Sequence, residues 1–90
     1  MQFSKNIAFT KIIKTSGRPR EFNFRRKAKG DGFEYDIDVS DERGERHYFQ
    51  LHKEEGRWAV RQQFLPAWIV EALPQLPALI DQTEAGDLAS

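Results

Sequence analysis

Cysteine is absent from the 90 residues, which excludes disulfides, thiolate nucleophiles and cysteine-ligated zinc together. Long apolar runs are also missing. The longest is Ala67–Val70, far short of the ~20 residues that cross a bilayer as a helix. The first residues, Met-Gln-Phe-Ser-Lys-Asn, lack the layout of a signal peptide, so a cytoplasmic location without membrane partners is expected. Histidine is scarce as well. His47 and His52 are an odd number of positions apart, so an unbroken strand turns them to opposite faces and they cannot share an ion. His47 reads as a core-edge residue and His52 as an exposed one.

The usual catalytic and ligand motifs are missing too. No Gly-x-Ser-x-Gly surrounds Ser40, and a calcium loop starting at Asp36 would need glycine where Asp41 stands. Gly30 and Gly32 precede no helix and so do not cradle phosphate. No catalytic set, metal site or cofactor is expected, and the chain reads as a non-enzyme.

What is present fits a folded domain. Apolar residues at 39% and charged residues at 31% are globular proportions, too apolar for disorder. A chain of this length buries only about 60% of its unfolded surface. It reads as one domain over 1–82, with 83–90 a frayed tail. The zero net charge hides a division: residues 1–30 carry nine Lys or Arg against Glu21 alone, whereas 31–90 carry five against thirteen Asp or Glu. Such a split points to a polyanion partner, or to a basic half folding against an acidic one.

The clearest element is Gly32–Ser40, where Phe33, Tyr35, Ile37 and Val39 alternate with Glu34, Asp36 and Asp38, the pattern of a half-buried strand. Gly30-Asp31 before it suits a two-residue type II′ hairpin. Folding about that turn sets Lys27 opposite Glu34, Arg25 opposite Asp36, Asn23 opposite Asp38, Phe24 opposite Ile37 and Phe22 opposite Val39. Every pair is complementary, each worth roughly 0.2–1 kcal/mol. The carboxylate ladder therefore reads as solvated strand pairing, with cations opposite that argue against a general acid, and truncating Asp38 should be mild.

The remaining strands follow by the same logic. Ile7–Lys14 is β-prone, but adjacent Ile12 and Ile13 ask for a bulge or for cover on both sides. Thr15–Pro19 reads as a turn. A loop at Asp41–Glu45 with Gly44 in the left-handed position sets Val39 against His47, Ile37 against Phe49 and Tyr35 against Leu51. A turn at Lys53–Gly56 then pairs Leu51 with Trp58 and Phe49 with Val60, which makes Trp58 a core residue. Over Leu65–Gln82 the stripe Leu65, Ile69, Leu73, Leu76 and Ile80 marks a helix, with Pro74 and Pro77 inside it. The expected fold is α+β: an antiparallel meander of four to five strands, one apolar face covered by a C-terminal, proline-kinked helix.

Lys5, Lys11, Lys14, Arg18, Arg20, Arg26 and Lys29 are left over by the strand pairing and offer a phosphate-contacting edge, with Tyr48 the one aromatic expected on the outer sheet face. Gly17-Arg18-Pro19 also matches the core of AT-hook peptides, although between two strands it reads as a proline turn. A meander closed by a C-terminal helix resembles the Pur and Whirly types of single-stranded nucleic-acid-binding domain. The resemblance covers element order from about Arg20 to Gln82 and no motif residue. It implies a curved sheet and dimerisation through the helix. Trp68, Ala72 and Leu79 gather on one helix flank beside the stripe and are the residues expected in such a homodimer contact. The reading is a binding module for nucleic acid or another polyanion. The alternative is a protein-interaction domain using the apolar helix.

Overall fold

The computed structural model describes residues 7–30, 32–60 and 64–89, the last three as backbone. Lys5 and Asp31 lie outside the described residues. Five strands, β1 (Ala8–Thr15), β2 (Arg18–Lys29), β3 (Gly32–Ser40), β4 (Arg46–Glu54) and β5 (Arg57–Val60), form one antiparallel sheet in sequence order. The sheet curls into a half-barrel around a C-terminal helical segment. That segment is α1 (Ala67–Ala72), a 3-10 turn at Leu73–Gln75 and α2 (Leu76–Ala89). The two prolines dictate the break. Pro74 falls inside the 3-10 turn and Pro77 in the first turn of α2, where its missing N–H has no intrahelical partner to lose. α2 runs through Thr83 and Glu84 to Ala89.

Each of the five β2–β3 pairs forms as expected, as do the three pairs between β3 and β4. The ion pairs themselves are diagonal: Arg25 reaches Asp38 (3.6 Å), Lys27 reaches Asp36 (3.1 Å) and Lys29 reaches Glu34 (3.6 Å). All three step in the same sense, as diagonal neighbours on a twisted pair do.

Three local expectations are corrected. The first turn is Ser16-Gly17 alone, with φ of 53° and 75°. Arg18 and Pro19 therefore belong to β2, and Pro19 sits where β2 has run past its pairing with β3. β1 carries no bulge: Ile13 is buried while Ile12 lies on the outer side, 65% exposed. At the β4–β5 hairpin the turn is Glu55-Gly56, with φ of 52° and 81°. Positive φ at both central positions gives the twist that matches a two-residue hairpin. The register moves by two residues, so Leu51 pairs with Val60 and Lys53 with Trp58. A shift of two keeps every side chain on its face, and Trp58 stays on the inner side but is only half-buried.

The core joins the inner sheet face to Ile69, Ala72, Leu76 and Ile80 of the helices. At its centre Tyr35 meets Phe9, Phe24 and Trp58 edge to face, at 6.0, 6.5 and 5.5 Å, while Phe9 stacks on Phe24 at 4.6 Å. The Tyr35 hydroxyl donates to Glu84 Oε2 at 2.7 Å, and Arg26 Nη1 donates to the same oxygen at 3.4 Å. This contact fastens α2 to the sheet. Burial of the ring, and then the adjacent Glu84 carboxylate, pushes the Tyr35 phenol well above the ordinary tyrosine range. In the unfolded chain the phenol ionises near pH ~10. Above that pH the unfolded state gives up a proton that the folded state keeps, so stability is full below about pH 10 and declines as pH rises beyond it. Urea midpoints at pH 9 and pH 11 should differ for the parent chain and differ less for Tyr35→Phe.

Candidate nucleic-acid interface

The basic residues expected to form one edge are dispersed. Arg20 and Arg26 share the parity of Phe22 and Phe24, so β2 turns them to the inner face, at opposite ends of the helical cover. Arg20 is 8% exposed; its guanidinium lies 4.1 Å from the centre of the Trp68 ring and donates to Glu42 Oε2 at 3.1 Å. Arg26 is held by Glu84 and lies over the Phe33 ring at 4.3 Å, which leaves Phe33 at the margin of the core and 44% exposed. Arg18 also faces Glu42, at 3.7 Å, and Lys29 faces Glu34. Of the expected set, Lys11 and Lys14 on β1 make no ion pair among the described residues, and Lys11 lies 5.9 Å from the Phe9 ring centre. The acidic half has thus claimed most of the basic half.

The residues expected at a dimer contact are engaged within the chain. Ala72 is fully buried in the core. Trp68 is clasped between Arg20 and His47, the latter edge to face at 5.6 Å, and Leu79 packs half-buried against the core. The sheet curls over both flanks of the helix. The apolar side chains that α1, the 3-10 turn and α2 leave exposed include Val70, Ala67, Pro74 and Ala78.

A different grouping appears on the outer face of the sheet. Thr10, Asn23, Asp38 and Tyr48 are consecutive cross-strand partners and form one row over β1 to β4. Thr10 Oγ1 donates to Asn23 Oδ1 at 2.7 Å, and Asn23 Nδ2 donates to Asp38 Oδ1 at 2.9 Å. Arg46 Nη1 donates to that oxygen at 2.6 Å, while Arg25 approaches the other carboxylate oxygen at 3.6 Å. Asp38, although on the solvent side, is only 6% exposed because these neighbours roof it. Tyr48, at the end of the row, is 61% exposed. Together they line a shallow depression of about 490 Å³. Two guanidinium groups share one carboxylate there, so a positive charge remains beside an aromatic ring, with Arg N–H donors still directed to solvent.

No family model, curated protein or solved structure matches the chain.

Arg25 and Arg46 were passed over by the sequence reasoning because strand pairing accounted for the first and nothing marked the second. The signal was available: Arg46 and Tyr48 alternate with His47 and Phe49, so both face outward, and Tyr48 falls opposite Asp38 in the expected register.

His47 does more than mark the core edge. Asp41, Glu45 and His47 bring one donor atom each to within 4.8 Å of one another, the closest approach to a metal-ligand set among the described residues. Asp41 is already committed. Its Oδ1 accepts the N–H groups of Arg43 and Glu45, both at 2.9 Å, and its Oδ2 meets His47 Nε2 at 3.1 Å. The His47 contact, followed by those backbone donors, holds Asp41 below the usual carboxylate range. These bonds brace the β3–β4 loop, whose Gly44 N–H donates to Asp41 O at 3.0 Å. Glu42 is likewise lowered, by its own backbone N–H and then by Arg20.

Proposed function

We propose that the chain is a non-enzymatic binding module that takes single-stranded nucleic acid on the outer face of its sheet, a site where other polyanions compete. What supports this reading is Tyr48, exposed on that face across from a roofed carboxylate that Arg25 and Arg46 share. A base stacks on the phenol ring, a contact that accepts any base because every base has a π-face. The guanidinium groups on either side meet the flanking phosphates in their forked geometry. The expected basic edge at Lys11, Lys14, Arg18, Arg20, Arg26 and Lys29 gives way to this outer-face site, since most of those groups are held by carboxylates of the same chain.

Fluorescence anisotropy with labelled mixed-sequence DNA and RNA strands of about 12 nucleotides, within the span of one small β domain, tests the reading. Affinity should fall with salt with a log–log slope of about 0.7 per phosphate contact. Tyr48→Ala should weaken binding by about 1–3 kcal/mol, roughly 5- to 150-fold, the range for removal of one stacking platform. Because Tyr48 is exposed, circular dichroism of the variant should match the parent. Absence of any salt-dependent binding at low ionic strength, or a Tyr48→Ala chain that binds as the parent does, overturns the proposal.

A further inference from the structure

The two edges of the sheet differ. β5 spans only Arg57–Val60, whereas β1 runs eight residues without bulge, proline or positive φ. The Arg26 N–H donates to Ile7 O at 2.8 Å, so the backbone groups of Ile7 face β2. By the alternation of an antiparallel ladder, those of Ala8, Thr10, Ile12 and Lys14 face the other way. Among the described residues no strand lies on that side. A straight row of N–H and C=O groups is therefore presented outward, the template on which a further strand adds.

The side chains along this edge specify what the added strand carries. Ile12 stands exposed on the outer side, and Phe9 and Ile13 border the inner side. Among the described residues Lys11 and Lys14, on opposite faces, meet no carboxylate in an ion pair; Glu21, the cross-strand partner of Ile12, makes none with either. A second copy of the chain would bring its own two lysines to the same seam and no carboxylate to offset them. Like charges across a strand pair oppose association, and edge lysines are a common guard against self-pairing. An acidic strand reverses the sign of that term.

We propose that β1 is a docking edge for an extended acidic peptide, which adds as a sixth strand with an apolar side chain beside Ile12 and carboxylates opposite Lys11 and Lys14. This inference is independent of the outer-face site. For an antiparallel strand the order is acid, any residue, apolar, acid. Fluorescein-labelled Thr-Glu-Val-Val-Glu-Thr-Val satisfies it, and the same peptide with lysine for glutamate is its control.

Anisotropy should show saturable binding of the acidic peptide, with the lysine peptide weaker by about tenfold or more. Hydrogen exchange at the Thr10 and Ile12 amides should slow on binding. Ile12→Pro should abolish binding yet preserve the sheet, because the N–H it removes faces the open edge and not β2. Lys11→Glu combined with Lys14→Glu should invert the preference between the two peptides, and keeps the proposal testable should the proline variant fail to fold. Four outcomes overturn it: no saturation by about 1 mM peptide; unchanged affinity in a folded Ile12→Pro chain; displacement of the peptide by an oligonucleotide that is as effective on the Tyr48→Ala chain as on the parent, which would assign the lysines to nucleic acid apart from the outer-face site; or a dimer in sedimentation that Ile12→Pro dissolves, which would make a second copy the occupant.

Discussion

Tyr35→Ala should leave the chain largely unfolded at 37 °C. Tyr35 is fully buried, touches three other aromatic rings and anchors Glu84 of α2 through its hydroxyl. Truncating a large aromatic in a core costs about 3–5 kcal/mol, and a domain of this size has roughly 5–13 kcal/mol in all. Loss of the ring also leaves the Glu84 carboxylate with Arg26 as its remaining described partner from the sheet. The expected fall in Tm is at least about 15 °C. Trp58→Ala should cost less, although the expected register makes Trp58 a core residue, because Trp58 is half-buried on the short β5 and its indole N–H makes only a long 3.4 Å contact to Asp81. Thermal melts of the two variants side by side check the ranking. The reverse order would place the centre of the core at β5.

Asp38→Ala should destabilise by about 1–3 kcal/mol, the range for hydrogen bonds to a charged group, although the residue sits on the solvent-facing side of its strand. Asn23 loses its acceptor, and Arg25 and Arg46 lose the carboxylate that separates their charges. The same substitution should tighten binding of single strands, since an internal competitor for both guanidinium groups is gone. Urea midpoints and anisotropy on one preparation measure both effects. An unchanged midpoint would show that Asp38 is an ordinary surface residue, and weaker binding would remove the arginine pair from the site.

The β2–β3 hairpin was legible because five complementary pairs and one glycine at the turn agree on a single register. The β4–β5 register was not, because Glu55 at φ 52° occupies a position that asparagine or glycine usually announces. Arg20 and Arg26 are instructive in another way. Period-two arithmetic already set them on the face of Phe22 and Phe24, yet their carboxylate partners, Glu42 and Glu84, come from a loop and a helix that local strand pairing does not reach. The outer row was half legible: its register was written in the turns, while the burial of Asp38 depends on two arginines from different strands closing over it.

In the meander, every strand pairs with its neighbour in sequence across a short turn. Each step of sheet formation therefore closes a small loop, and small loops form fast and at little entropic cost. The seat of α1 on β1 is different: Thr15 Oγ1 donates to Trp68 O across 53 residues. Loop closure thus favours sheet assembly ahead of helix docking, and a chain held between those two steps would leave the aromatic inner face open to water. Such a chain would be the form most exposed to aggregation, and its lifetime would depend on how quickly the proline-broken helix finds its seat.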